Sequence, residues 1–163
     1  MKKILFTILV LCSLCAAGQN KKAAADDLYY NTEKNECSLP KKANTIIITD
    51  TLSQQQFYNT ITEILFESGY GLLSSDKTQG TITTSDKAIK TGTVNISFLI
   101  KNNRVIMRGN FRGPGALSPG GIDFSDLSII EYKGMNGSIA KNAWDEMKKI
   151  ADQIPGQKKY LKN

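Results

Sequence analysis

A chain of 163 residues, 40% of them apolar, is long enough for one packed core and too short for two ordinary domains. It contains no histidine, which removes the commonest general base and the commonest zinc ligand together. The formal net charge of +6 points away from cationic partners and towards anionic ones.

Met1-Lys2-Lys3 places positive charge ahead of an apolar run from Ile4 to Leu14, and the small residues Ala16-Ala17-Gly18 follow. This is the pattern of a cleavable secretion signal, and the run is well short of the roughly 20 residues that span a bilayer. Residues 1–18 are expected to be a signal peptide, with Gln19 as the new N-terminus and the mature chain in the periplasm or outside the cell. Lipoprotein anchoring through Cys12 or Cys15 is the alternative, although Leu11 and Leu14 stand where a small residue ordinarily precedes a lipidated cysteine. Cleavage removes two of the three cysteines and leaves Cys37 alone, so no intramolecular disulfide is available. It also lowers the net charge to +4, with 19 Lys and Arg against 15 Asp and Glu.

Residues 19–43 are polar and lysine-rich around a brief Leu28-Tyr29-Tyr30 cluster, and read as a flexible leader. A single domain is expected over 44–156, with a basic tail at 157–163. Thr45-Ile46-Ile47-Ile48-Thr49 is a β-branched run and predicts a strand. Asp50, Thr51 and Ser53 offer N-caps, Thr51 with Gln54 in capping-box spacing, and Phe57, Ile61, Ile64 and Leu65 keep the rhythm of a buried helical stripe. Gly69 is placed to end that helix in a left-handed cap. The runs 70–75 and 81–84 flank a turn-prone stretch, as a hairpin or as one strand broken by a bulge.

From Thr91 to Arg112 two alternating strands surround Asn102-Asn103, which predicts a hairpin with a two-residue type I′ turn. Lys101 then faces Arg104, and the register puts Val94, Ile96, Phe98 and Ile100 with Val105, Met107, Gly109 and Phe111 on one apolar face. The opposite face is polar and basic, apart from Leu99 opposite Ile106. Gly113 to Gly121 is a loop, and a further strand is expected within Leu127–Tyr132. A second helix is expected from Asn136 or Ser138 to about Ile154, stopped by Pro155-Gly156, with Asp145 and Lys149 as an i, i+4 pair. The expected fold class is α+β: a two-layer sandwich of a curved antiparallel sheet, in β-α-β-β-β-β-α order, with both helices on one face.

No catalytic residues emerge. A lone Cys37 without an imidazole makes no Cys-His nucleophile. Asp123, Asp126 and Glu131 are the nearest approach to a carboxylate cluster, but they lack calcium-loop spacing. The glycine-rich loop lacks the Gly-Lys-Ser/Thr ending of a phosphate loop. No metal site and no cofactor are expected. Tyr58, Phe66 and Trp144 lie on or near helical stripes and are expected in the core. The row Arg104, Arg108 and Arg112 recurs at even spacing on one strand, with Lys101 and Asn110 among it, so these side chains share one sheet face able to grip carboxylates or phosphates. These five are the candidate binding residues.

The run Phe57 to Thr84, with Gly69-Tyr70-Gly71-Leu72-Leu73-Ser74-Ser75-Asp76 and Gly80-Thr81-Ile82-Thr83-Thr84, resembles small exported bacterial proteins of unknown function with a TATA-box-binding-protein-like fold. Tyr132 to Ser138 and Ala143 to Met147 resemble their closing segment. The resemblance implies a curved sheet with helices on one face and an envelope role, and it brings no catalytic residues. The functional expectation is a non-enzymatic exported module that binds an envelope protein, a polymer, an anionic surface or a small anion through the basic face, with no nucleic acid as partner. The alternatives are a small secreted hydrolase using Asp123, Asp126 or Glu131, and a structural assembly subunit.

Overall fold

The hairpin that alternation predicts is the middle of the sheet. The computed structural model describes residues 39–114 and 127–163. In it Gly92–Lys101 and Arg104–Arg112 pair antiparallel, with Lys101 opposite Arg104, Leu99 opposite Ile106 and Ile96 opposite Gly109. The expected register holds along its whole length. The turn differs in one respect: Asn102 has φ of 56°, but Asn103 does not share the positive φ that a type I′ turn needs at both positions.

In chain order the elements are β1 (Thr45–Thr49), α1 (Gln54–Glu67), β2 (Leu72–Asp76), β3 (Thr81–Thr84), β4 (Lys87–Ile89), β5 (Gly92–Lys101), β6 (Arg104–Arg112), β7 (Ser128–Ile129), α2 (Ile139–Gln153) and β8 (Gln157–Leu161). The architecture is α+β, with two helices and one open antiparallel sheet of eight strands in the described residues. The path β2-β3-β5-β6-β1-β8 crosses the sheet, with β4 beside β5 and β7 beside β6. The expected β-α-β-β-β-β-α order therefore undercounts the strands. β4 has only three residues, too few for an alternation signal. The expected basic tail at 157–163 contains β8, whose Gln-Lys-Lys-Tyr-Leu sequence acquires strand geometry by pairing with β1 from Thr45–Leu161 to Thr49–Gln157. Its lysines suit a sheet edge, where charge opposes further strand addition. At the other edge, β2 and β3 form the hairpin of the two expected alternatives, and not a single bulged strand; its register shifts between Leu72 and Ser74.

The ends of α1 are set locally. Ser53, rather than Thr51, is the N-cap: its hydroxyl accepts from the Gln56 backbone, and the Gln56 side chain accepts from the Ser53 backbone N–H at 2.9 Å. Gly69 takes φ of 75° beyond the last turn, as expected of a left-handed cap. Helix α2 begins after the N-cap Ser138. Its ion pairs are Lys141–Asp145 and Lys148–Asp152 instead of Asp145–Lys149, since Asp145 reaches back one turn to Lys141.

One cluster unites Phe57, Ile61 and Leu65 of α1 and Trp144, Met147 and Ile150 of α2 with Ile46, Ile96, Phe98 and Met107 from the sheet, all buried. Trp144 lies between the rings of Tyr132 and Tyr160, at centroid distances of 5.7 and 6.1 Å, so β8 contributes to the core that its composition conceals. Phe66 departs from expectation: it is 62% exposed, because the stripe of α1 passes through Ile64 and Leu65 and leaves position 66 outside.

Candidate functional site

Strand alternation sends Lys101, Arg104, Arg108, Asn110 and Arg112 to the face opposite the buried Phe98 and Met107, as expected. Four of the five share that face as free or nearly free charges: Lys101, Arg104, Arg108 and Arg112 are exposed, and among the described residues none of them has a carboxylate partner. They do not converge. Arg104, Arg108 and Arg112 are four residues apart in sequence, which on an extended strand separates successive Cα atoms by about 13 Å. Only Lys101 and Arg104 are direct neighbours across the hairpin. Three guanidinium groups on that spacing are too far apart to grip one small anion together.

Neighbouring strands hold two of these side chains in place. Arg108 Nε donates to Thr45 Oγ1 at 3.2 Å, and the same hydroxyl accepts from Asn163 Nδ2 at 3.0 Å. Asn44 and Asn163 are tied reciprocally, Asn44 Nδ2 donating to the Asn163 carbonyl at 3.1 Å and Asn163 N donating to Asn44 Oδ1 at 3.2 Å. Asn110 Nδ2 donates to Asn95 Oδ1 at 3.3 Å, and Asn95 Nδ2 to Asp86 Oδ1 at 2.8 Å. Asn110 is therefore a member of a cross-strand ladder more than a free ligand group. Asn95 follows from the hairpin register that sets it opposite Asn110, whereas Thr45 and Asn163 escape sequence reasoning because their roles depend on pairings over long separations.

The same face carries an apolar row that the hairpin alone reveals only in part. Leu99 is opposite Ile106, Ile106 is opposite Ile47 of β1, and the row continues to Thr81 on β3 and Lys159 on β8. Leu99 is 41% exposed, and Ile106 and Ile47 are half-buried. Arg104 and Arg108 are two residues either side of Ile106, so this row lies midway between cations.

A second polar group sits on the helix side. Lys87 Nζ is 2.7 Å from Glu146 Oε1 and 4.5 Å from the centroid of the Tyr70 ring, whose hydroxyl donates to Glu146 at 3.4 Å. Burial, and then the adjacent Glu146 carboxylate, push the Tyr70 hydroxyl well above the usual tyrosine range. Beside it a shallow cleft of about 270 Å³ is lined by Ile89, Lys90, Asn142, Asp145, Glu146 and Lys149. Among the described residues no group of three or more Cys, Asp or Glu is arranged to hold a metal ion. Glu131 pairs with Lys133 at 3.0 Å, while Asp123, Asp126, Cys37 and most of the glycine-rich loop lie outside the described residues. No helix among the described residues is long and apolar enough to cross a membrane.

The crystal structure of a DUF4468 family protein from Bacteroides ovatus ATCC 8483 is similar to this chain at 15% identity and a TM-score of 0.35, covering 69% of this chain and 81% of the other. No family model matches the chain, and no curated protein matches it.

Proposed function

We propose that this protein is an exported binding module that engages an anionic partner carrying several acidic groups through the sheet face of Lys101, Arg104, Arg108 and Arg112. In this reading residues 1–18 direct export, the mature chain works in the periplasm or outside the cell, and the fold is a two-layer, TATA-box-binding-protein-like sandwich with both helices on the Phe98 face. The observation that carries the binding reading is the row of exposed cations with no carboxylate partner among the described residues. The α2 lysines Lys141 and Lys148 are by contrast answered by Asp145 and Asp152. On the sheet face Arg108 is instead held by a neutral partner, Thr45, which leaves its charge for another molecule.

The test is retention on a polyanion column such as heparin-agarose. Arg104→Ser/Arg108→Ser/Arg112→Ser should elute at distinctly lower salt than Lys141→Ser/Lys148→Ser/Lys149→Ser, which removes the same charge from the helix side. Equal retention of the two variants would show that net charge alone governs binding, and the basic face would lose its assigned role.

A further inference from the structure

The basic face is also amphipathic, and its dimensions specify a partner more narrowly than charge does. Resting on the reading above, we propose that the face docks an acidic amphipathic α-helix of a protein partner, laid across the strands along the row Leu99, Ile106 and Ile47. Two features of the register lead to this occupant. The apolar row runs perpendicular to the strands, one residue per strand, so its side chains repeat at the strand spacing of about 4.8 Å. A helix offers apolar residues at i, i+3 and i+4, whose axial steps of roughly 4.5 and 6 Å bracket that repeat. Arg104 and Arg108 flank the row on opposite sides, about 13 Å apart along β6, close to the 10–12 Å diameter of a helix with its side chains. A helix seated on the row therefore has a cation along each flank, and acidic residues bordering its apolar stripe meet them.

Charge excludes the face-to-face pairing of two copies of this chain. Two such faces brought together would oppose Arg104, Arg108, Arg112 and Lys101 with their own kind, among described residues that give the four no carboxylate partner. An extended strand is also a poorer fit, because the row crosses the middle of the sheet, where the backbone groups of β5, β6 and β1 are already paired. Burial of Leu99 and Ile106 supplies affinity, and the flanking arginines select an acidic stripe and reject a basic one.

The probe is a fluorescein-labelled helical peptide of about 18 residues with Leu at i, i+4, i+7 and i+11 and Glu along both borders, measured by fluorescence anisotropy against the intact protein. The peptide should bind, and the same peptide with Lys in place of Glu should not. Leu99→Ser, at an exposed position that the fold tolerates, and Arg104→Ser/Arg108→Ser should each weaken binding by about tenfold or more, the effect of truncating central contacts. The helix-side triple lysine variant should bind as the unaltered protein does. Ile106→Thr keeps β-branching and is a second readout of the row, with its melting curve as a check on folding. Equal affinity for the Glu and Lys peptides, or no loss in Leu99→Ser, would overturn the proposal. So would binding to phosphatidylcholine vesicles containing phosphatidylglycerol that is lost in Leu99→Ser while the Glu peptide fails to bind, since that assigns the row to a membrane surface. Retention on heparin that depends on the three arginines, without peptide binding, would overturn this inference and leave the anionic-partner reading standing.

Discussion

Gly109 offers a direct test of how the second helix meets the sheet. It lies opposite Ile96 on the buried face of β6, and a Cβ built there falls 2.7 Å from Ile130 Cδ1, 2.9 Å from the Asn95 carbonyl oxygen and 3.3 Å from Met147 Sδ of α2. The two side-chain tips can yield by rotation, but the Asn95 carbonyl belongs to the strand backbone and cannot move without straining the ladder. Gly109 does not have a positive φ, so alanine loses nothing to backbone strain and gains about 0.4–1 kcal/mol from a less flexible unfolded chain. Overpacking costs roughly 1–3 kcal/mol and outweighs that gain. On central values Gly109→Ala should therefore destabilise by about 1.3 kcal/mol, which at about 4 °C per kcal/mol lowers Tm by roughly 5 °C. Gly109→Val adds two methyl groups to the same contact and should cost about 3 kcal/mol or more. Thermal melts followed by circular dichroism, with urea midpoints alongside, measure both. A Gly109→Ala variant as stable as the parent would mean that the Asn95 carbonyl, Ile130 and Met147 do not crowd this position, and the close packing around Gly109 described above would be wrong.

Three further outcomes follow from burial and pairing. Tyr160→Ala removes a half-buried ring from the face of Trp144 and should cost about 2 kcal/mol, somewhat less than truncation of a fully buried aromatic residue; a urea midpoint unchanged by this substitution would return residues 157–163 to the status of a tail. A double-mutant cycle over Lys87 and Glu146, whose side chains are only 24% and 16% exposed, should give a coupling of about 1–2 kcal/mol, against under about 0.5 kcal/mol for the more exposed Lys148 and Asp152. The Tyr70 hydroxyl, held above the ordinary value near 10, makes the native state retain a proton that the unfolded chain releases in alkali. The stability this contributes is complete below about pH 10 and declines as pH rises further, so Tyr70→Phe should lose stability less steeply than the parent in alkaline melts, with equal slopes counting against the burial described here.

Local features of this chain were legible because local rules govern them. The hairpin register came from the alternation in residues 91–112 and its turn, since a slip of one residue would have exposed Phe98 and Met107 together. The left-handed cap at Gly69 and the buried stripe of α2 rest on similarly short-range patterns. Misreadings arose where two local candidates competed. Ser53 prevailed over Thr51 as N-cap because its partner Gln56 closes the box at the true first turn. Asp145 turned to Lys141 instead of Lys149, and Phe66 sat one position off the buried arc of α1.

The candidate site divides along the same line. Period-two alternation by itself put Lys101, Arg104, Arg108, Asn110 and Arg112 on one face, and Leu99 with Ile106 among them, because neighbouring strands joined by a short turn have no freedom to do otherwise. The third member of the apolar row, Ile47, and the partner that holds Arg108, Thr45, come from β1, whose pairing with β6 joins residues about sixty positions apart. β8 is the extreme case: a lysine-rich segment with no alternation to recommend it becomes an edge strand because β1 presents free backbone groups and Trp144 presents a face to Tyr160. The amino-acid sequence determined which residues share a strand and a face. Only the tertiary structure decided which strands lie side by side, because that choice depends on how all the apolar faces can be buried at once.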